Sequence, residues 1–243
     1  MIRPVSSDSP FTDTRSTLPA KPIRRPTRRP ASSPKERAPE RHGRRERNKR
    51  DKHERIVESA RALFKKQGYA STTAQQIARG AQIAAGTLFL YAKSKEDLLV
   101  LVFTNEMREL IEDAHRDIDP DAALLDQVNA LFKRFVNYHA RDVAIARELI
   151  RELTFLSNRA RATDVAAIVR AILDKLVAFI DRAIERRELD ARTDSELLAN
   201  CLFSVYYQQL QTWLSGYVPR RQFERSLSAM LDRIIDGSRR KRL

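Results

Sequence analysis

Two helix-start signatures enclose the segment that most constrains how this chain can fold. The four residues from Thr73 to Gln76 have the Ser/Thr-x-x-Glu/Gln form of a capping box, and a second N-terminal signature begins at Ser94. Between them, the segment from Gln82 to Tyr91 is too short for a free-standing helix and is stable only when packed on its neighbours. Two short helices joined by a tight turn and held between longer helices are typical of a helix-turn-helix. The pattern predicts this motif over about residues 74–93.

The remainder of the chain after Asp51 also has helical periodicity. Apolar residues recur at helical spacing, and no run alternates with a period of two. A stripe from Ile56 to Phe64 fits a first helix that Gly68 ends as a C-cap. Asp119-Pro120-Asp121 is expected to start a later helix that runs to about Ala140, and Thr193 with Glu196 a third capping box. The fold class is therefore predicted to be all-α, with about nine helices.

The first fifty residues have a different composition from the rest. They contain eight of the ten prolines and 15 Lys+Arg against 5 Asp+Glu, so most of the net charge of +14 lies there. Frequent proline and few apolar residues oppose ordered structure, and we expect residues 1–46 to form a disordered basic tail. The arginines around Pro26 could follow DNA phosphates or enter a minor groove. They could equally belong to a solvated tail.

Several classes of function are excluded or disfavoured by composition. No apolar run is long enough to span a membrane, and no apolar run follows the basic N-terminus as in a secretory signal. A single cysteine, Cys201, excludes an internal disulfide framework, and we expect it to be a small buried apolar residue. The four histidines have no metal-ligand spacing, and no phosphate-binding glycine loop or nucleophile motif is present. We therefore expect no enzyme activity, no cofactor, no metal, no membrane partner and a cytoplasmic location.

Residues 52–102, about a fifth of the chain, contain an ordered run of residues at fixed spacing. These are Ala60, Leu63, Phe64, Gly68, Tyr69, Thr73, Ile77, Ala78, Ala81, Ile83, Gly86, Thr87, Leu88, Tyr91, Ser94, Lys95, Leu98 and Leu99. With this run, the segment resembles the tetracycline-repressor (TetR) family of bacterial transcriptional regulators. The resemblance implies a DNA-binding domain over residues 51–111 and a helical effector-binding and dimerisation domain over residues 112–243.

The chain departs from that family at four positions within the motif. The family often has glycine where Gln82 lies in the turn, serine at Ala84, tyrosine at Phe89 and phenylalanine at Ala92. Gln82 can adopt the turn conformation at modest cost, whereas Ala84 lacks a hydroxyl that could cap the helix or contact a phosphate. These changes affect individual contacts more than the fold.

A recognition helix from Ala84 to Leu90 would suit a major groove. Its first turn contains only small residues, so the backbone can approach base edges, and a threonine or alanine methyl can meet a thymine methyl. The resemblance implies that Thr73, Tyr91 and Lys95 bind phosphates, which agrees with the positive ends of helices at Thr73 and Lys95. The predicted DNA-binding residues are Thr73, Ala84, Ala85, Gly86, Thr87, Phe89, Tyr91 and Lys95.

Some of these assignments have a structural alternative. Gly86 could serve helix packing, and Tyr91 could be a packing aromatic. Thr73 is a helix cap under either interpretation. Of the neighbours Leu88 and Phe89, one belongs to the core, and we expect Leu88 to point inward.

Aromatic residues after the helix-turn-helix could line an effector pocket, which the resemblance places in this region and often makes apolar. The alternative for each is simple core packing. Polar residues that could orient a ligand are Arg134, His139, Arg147 and Glu148, although each could be a solvated or paired surface residue. The predicted ligand-binding residues are Phe132, Phe135, Tyr138, Phe155 and Phe179.

The last two helices, about residues 194–216 and 220–239, carry more apolar residues than one bundle face requires. They are therefore expected to form a homodimer interface, as the resemblance also implies. A dimer presents two recognition helices to one face of DNA and reads a palindromic operator. The hypothesis is a sequence-specific repressor, associated with the nucleoid when DNA-bound, that a small-molecule effector releases. The alternative is a nonspecific or architectural DNA-binding protein driven by the basic arm.

Overall fold

The computed structural model describes the backbone of residues 38–154 and 158–239, and their side chains except at residues 38–45 and 115. Within these residues the fold is all-α, as predicted. None of the described helices is long and apolar enough to cross a membrane. The nine helices in the described part of the chain are α1 (Ala38–Gln67), α2 (Ala74–Gly80), α3 (Ala85–Leu88), α4 (Lys95–Asp117), α5 (Leu124–Ala140), α6 (Val143–Thr154), α7 (Arg159–Glu185), α8 (Ser195–Leu214) and α9 (Arg220–Asp236).

The first three helices pack around a small apolar core with the start of α4. Ile56, Ile77 and Leu88, from α1, α2 and α3, are fully buried in it. The Ser59 hydroxyl of α1 donates to the Ile77 main-chain oxygen over 2.9 Å, which fixes α2 against α1. Gly68 ends α1 with a φ of +78°, a left-handed conformation that glycine adopts without a Cβ clash, as the C-cap prediction required.

The basic tail is shorter than predicted at its C-terminal side. Helix α1 begins at Ala38, so the expectation of disorder is wrong for residues 38–46. Pro39 is the last proline before the helix-turn-helix, and proline is tolerated in a first helical turn. The backbone after it can therefore extend α1. The rest of the predicted tail, residues 1–37, lies outside the described residues.

Helices α4 to α9 form the larger part of the molecule. Helix α8 packs on α7 and α9, and α7 packs on α4 and α5. Aromatic rings stack between α5 and α8, where Phe132 lies on Tyr206 with ring centroids 4.4 Å apart, and between α8 and α9, where Trp213 lies on Phe223 at 5.2 Å. Helix α4 continues without a break across the predicted domain boundary between residues 111 and 112, so it connects both parts of the fold.

Two helix starts differ from the predictions. Helix α5 begins at Leu124, because the carbonyl oxygens of Pro120 and Ala122 accept hydrogen bonds from the Gln127 and Arg186 side chains rather than from helix amides. Helix α8 is capped by Asp194, whose carboxylate accepts from the Leu197 amide over 3.0 Å. The cap is therefore Asp194 and not Thr193. An ionised carboxylate gains from the helix dipole at this position.

Candidate nucleic-acid interface and effector cavity

The turn between α2 and α3 depends on one strained residue. Gln82 has a φ of +54°, the left-handed conformation that the sequence required of it and that favours glycine. Ahead of the turn, the Thr73 hydroxyl accepts from the Gln76 amide, and the Gln76 side chain accepts from the Thr73 amide. This confirms the capping box. At the start of α3, Ala84 is the N-cap and provides no side-chain hydrogen bond.

The exposed face of the recognition helix consists of small residues followed by two apolar ones. Ala84, Ala85 and Gly86 are exposed, and Thr87 is half-buried. Leu88 is fully buried and Phe89 is 50% exposed, so the inward residue of this pair is Leu88, as predicted. The helix itself is shorter than the expected Ala84 to Leu90: it covers Ala85–Leu88, and the chain then turns. A small, largely unhindered surface is thus presented at the helix start, where DNA contact was predicted.

Gly86 is not required for packing inside the protein. A Cβ added at this position would lie more than 4 Å from every other described atom considered outside its own turn. Its φ also lies outside the left-handed range in which glycine is favoured. The helix-packing alternative therefore has no support in the structure, whereas close approach of another molecule fits the open space above Gly86.

Tyr91, just after α3, and Lys95, at the start of α4, both have partners within the protein. The Tyr91 hydroxyl is 3.5 Å from the main-chain oxygen of Lys49 in α1. The Lys95 amine donates to the main-chain oxygens of Tyr69 and Ala70 at 3.1 and 3.3 Å, and it lies 4.3 Å from the centroid of the Tyr69 ring. Lys95 thus ties the start of α4 to the end of α1.

Two parts of the surface were not among the predicted contacts. Leu90, just past α3, is 84% exposed and apolar. Arg47, Lys49 and Arg50 are exposed on the extension of α1, which the hydroxyl of Tyr91 reaches at Lys49. The sequence predicted a disordered tail up to residue 46, immediately before these cations. It did not predict that α1 extends through them.

The start of α7 contacts the segment that follows the recognition helix. A terminal guanidinium nitrogen of Arg161 donates to the main-chain oxygen of Tyr91 over 2.7 Å, and the other terminal nitrogen pairs with Asp164 over 2.7 Å. The Asn158 side-chain amide donates to the Asp97 carboxylate, also over 2.7 Å. Asp97 in turn accepts from the Lys93 amide. Arg161 therefore connects α7 directly to the loop between α3 and α4, and Asn158, the N-cap of α7, connects to the same loop through Asp97 of α4.

An apolar cavity of about 210 Å³ lies among α4, α5, α6, α7 and α8. Its walls are almost entirely apolar, which suits a hydrocarbon group rather than a charged one. Phe103 and Met107 of α4 line the cavity, together with Ile168 and Ile172 of α7. Helix α4 begins directly after the loop that follows the recognition helix, and α7 begins at the contacts of Asn158 and Arg161 with Asp97 and Tyr91.

The predicted ligand-binding residues have different positions relative to this cavity. Phe135 lines it. Tyr138 lines a neighbouring polar cleft, where burial, together with Glu106, raises the pKa of its phenol well above the usual value. Phe132 and Phe179 are buried in the core, so their positions do not support a ligand role, and Phe155 lies outside the described residues.

The polar cleft has a volume of about 640 Å³ and mixed charge. Its described lining includes three cations, of which Arg61 is paired with Glu106 over 2.8 Å. His139 lines both this cleft and the apolar cavity. Burial lowers the pKa of His139 to about 4, so its imidazole is neutral at physiological pH.

Of the four polar residues that could orient a ligand, only His139 is both buried and part of the apolar cavity. Arg134 pairs with Asp117, and Glu148 pairs with Arg151. Arg147 donates to the main-chain oxygen of Leu214 over 2.6 Å. No group of three or more His, Cys, Asp or Glu residues that could hold a metal is found among the described residues.

Apolar residues are exposed on the last two helices. Leu197 of α8 is 62% exposed, and Met230 of α9 is 44% exposed. Cys201, one turn after Leu197, is also exposed, so the expectation that it is buried in this chain is wrong. Its helical register places it on the outward face of α8, away from the core residues Leu198 and Leu202.

The fold and the exposed recognition helix define a helix-turn-helix DNA-binding protein. The sequence pattern of the family "Bacterial regulatory proteins, tetR family" matches residues 56–102. The fatty acid metabolism regulator protein of Bacillus subtilis is 26% identical over 170 residues, which cover 69% of this chain and 86% of that protein. The repressor KstR of Rhodococcus jostii is 24% identical over 194 residues, 79% of this chain and 86% of its own length.

Solved structures share the same fold. The chain resembles FadR of Thermus thermophilus, a TetR-family repressor in complex with lauroyl-CoA, with a TM-score of 0.63 and 24% identity; the match covers 79% of this chain and 97% of that one. FadR of Bacillus subtilis, in complex with stearoyl-CoA, matches with a TM-score of 0.54 and 22% identity, over 75% of this chain and 95% of that one. Over residues 56–102 this chain is therefore similar to the TetR family of bacterial transcriptional regulators, and its fold is similar to that of solved members of that family.

Proposed function

We propose that this protein is a repressor that binds a palindromic operator as a homodimer and leaves it when an apolar-chain effector occupies the cavity. In this proposal residues 51–111 form the DNA-binding domain, and residues 112–243 form the effector-binding and dimerisation domain. One observation carries the proposal: α4 and α7 line the cavity and also begin at the helix-turn-helix. A ligand that moves either helix therefore has a direct mechanical route to the recognition helix.

In this proposal the start of the recognition helix reads base edges. Ala84, Ala85 and Gly86 allow close approach, and Thr87 supplies a hydroxyl and a methyl group. Phe89, half-exposed beside them, contacts sugar or a thymine methyl.

A second set of residues binds phosphates. Thr73 and Tyr91 contribute hydroxyls, and Lys95 contributes the positive charge of its ammonium group. The exposed cations Lys49 and Arg50 extend the phosphate-binding surface along α1. Because these contacts do not distinguish bases, they position the domain without selecting a sequence.

The effector is an acyl-chain compound in this proposal. The apolar walls support a hydrocarbon group, and two related structures contain acyl-CoA thioesters. At about 210 Å³ the cavity is smaller than the roughly 300–1,000 Å³ of typical ligand sites. It therefore suits a short or medium chain, and a longer chain requires the helices to separate further.

The exposed apolar residues of α8 and α9 support a homodimer. Leu197 and Met230 would be covered by the same surface of a second copy, as two-fold symmetry requires. Burying such a face contributes favourable free energy at about 25 cal/mol per Å² of apolar area.

The experiment that tests the repressor proposal is selection of bound sequences from a random DNA pool with the purified full-length protein. Enrichment of a palindromic site is the expected result. That site then serves to measure affinity by fluorescence anisotropy with and without acyl-CoA thioesters of increasing chain length. We expect the shorter chains to lower operator affinity most.

Variants separate the two kinds of DNA contact. Thr87→Ala should change the selected sequence, whereas Tyr91→Phe should weaken binding to all sequences alike. A protein that enriches no site but binds any DNA would point to nonspecific binding by the basic arm and would contradict the proposal. Enrichment of a single, unrepeated half-site would contradict the dimeric reading of the operator.

A further inference from the structure

His139 occupies the place where the apolar cavity meets the polar cleft. It lines both spaces and is only 4% exposed. Its ring stacks against Phe103, with centroids 6.3 Å apart and an interplanar angle of 28°. A molecule with its chain in the cavity and its polar part in the cleft must pass this side chain.

The imidazole has an unused hydrogen-bonding atom. Nδ1 of His139 is buried and makes no hydrogen bond to any residue in the part of the chain that the structure describes. Buried polar atoms nearly always have a partner, because an unsatisfied one loses its hydration without compensation. A ligand atom at the junction of the two spaces would supply that partner.

We propose that His139 binds the first polar group of the effector, and that this group is a neutral carbonyl such as that of a thioester, ester or amide. The inference rests on the proposed function, since it requires an acyl chain in the cavity. Nδ1–H donates to the carbonyl oxygen, and the remainder of the molecule continues into the polar cleft. His139 is thus a specificity-determining residue that distinguishes acyl compounds by the group that follows the chain.

A free carboxylate fits this position poorly. A neutral imidazole does not compensate a buried negative charge, and the loss of hydration of that charge is costly. Of the three cations that line the cleft, Arg61 is already engaged by Glu106 and Glu109. The site therefore favours the thioester over the corresponding fatty acid.

The test uses two coenzyme A derivatives that differ only in the carbonyl. Decanoyl-CoA has the thioester carbonyl, and S-decyl-CoA, a thioether, lacks it. Binding of each to the full-length protein is measured by isothermal titration calorimetry, with decanoate as the carboxylate probe. The variants are His139→Phe, which keeps an aromatic ring, and His139→Gln, which keeps a neutral N–H donor. Ile168→Phe, which fills the cavity, shows whether the chain lies there.

We expect the wild type to prefer decanoyl-CoA to S-decyl-CoA by about tenfold, the size of one buried hydrogen bond. His139→Phe should abolish this preference, His139→Gln should retain part of it, and Ile168→Phe should prevent binding of both compounds. Decanoate should bind more weakly than the thioester.

Two results would overturn the inference while leaving the proposed function intact. They are equal affinities of the wild type for the two CoA compounds, and a preference that persists in His139→Phe. Failure of both compounds to bind the wild type would instead refute the acyl-chain effector, and the inference with it.

Discussion

Arg161, near the start of α7, donates a hydrogen bond of 2.7 Å to the main-chain oxygen of Tyr91, just past the end of the recognition helix. Its guanidinium is buried and also pairs with Asp164. Burial, together with the charge of Arg161, lowers the pKa of the nearby His53 of α1. A charge-assisted hydrogen bond of this kind contributes about 1.5–3 kcal/mol. Since α7 also lines the cavity, Arg161 connects the proposed effector site with the DNA-binding helices.

Arg161→Met should weaken the effect of the effector on operator binding. The variant keeps much of the side-chain volume but loses the bond to Tyr91, so movement of α7 is transmitted less completely. We expect the ratio of operator affinities without and with effector to fall at least about fivefold, or roughly 1 kcal/mol of coupling. Anisotropy titrations of operator DNA measure this ratio. Arg170→Met, which removes an exposed arginine of the same helix, is the control and should leave the ratio unchanged. An unaltered ratio in a folded Arg161→Met protein would refute the coupling role.

Gly86→Ala should separate stability from DNA binding. Glycine inside a helix costs about 0.5–1 kcal/mol relative to alanine, and a Cβ at Gly86 meets nothing within 4 Å. The variant should therefore be as stable as the wild type or slightly more stable in urea unfolding. Its operator affinity should fall by about tenfold, because the added methyl group lies where the backbone approaches the bases. Gly237→Ala, at the end of α9, should leave operator affinity unchanged. Wild-type affinity of Gly86→Ala would show that DNA does not approach this residue closely.

Gln82→Gly should stabilise the protein. The left-handed conformation costs a residue other than glycine about 1–2 kcal/mol, and replacement of Gln82 by glycine removes that cost. The greater freedom of glycine in the unfolded chain offsets part of this stabilisation. We expect a net increase of about 0.5–1 kcal/mol in the free energy of unfolding, measured by urea titration. Arg187, after α7, has a φ of +60° and offers a matched position away from the helix-turn-helix. A similar gain for Arg187→Gly would assign the effect to the backbone, while a loss of stability in both variants would contradict it.

The features that could be predicted from the sequence depend on residues close together in the chain. The Thr73 capping box, the Gly68 C-cap and the inward position of Leu88 follow from hydrogen bonds within four residues or from helical register. A C-cap or a capping box can therefore be predicted from neighbouring residues without knowledge of the rest of the fold.

The cavity could not be predicted in the same way. Its walls come from five helices, whose relative angles arise from tertiary packing. The sequence around His139 does not show that α5 places this histidine in the cavity wall. The contacts of the Lys95 amine with carbonyl oxygens about 25 residues earlier in the chain could likewise not be predicted, because they depend on how α4 packs against the end of α1. Helix α5 starts late because Gln127 and Arg186 bind the preceding carbonyls, and the Arg186 contact crosses 66 positions of sequence.

Leu197→Glu should weaken the proposed dimer. The substitution places a charge in a face that a second copy would desolvate, so the dimer dissociation constant should rise at least about tenfold. Sedimentation velocity over a concentration series measures it. Tyr217→Glu, which replaces another exposed large residue in the loop before α9, should have little effect. The Cys201 thiol provides a second readout: it should react with a thiol reagent more slowly in the wild-type dimer than in Leu197→Glu. Equal dimerisation of the variant and the wild type would move the interface to another surface.

His139 should make stability depend on pH below neutrality. Its pKa is about 4 in the folded protein, compared with 6.5 for an unperturbed histidine. Between these values the unfolded chain binds a proton that the folded protein does not, so stability is lost as the pH falls from 6.5 towards 4. The contribution should be about 1.4 kcal/mol at pH 5.5 and about 3 kcal/mol at pH 4. His139→Gln has no such group, so the difference between its free energy of unfolding and that of the wild type should shift by this amount between pH 7.5 and pH 5.5. Urea unfolding of both proteins at the two pH values tests this prediction. The two proteins share every other titrating residue, so a difference between their pH profiles reports on His139 alone. Parallel profiles would mean that His139 is accessible to solvent and protonates normally in the folded state.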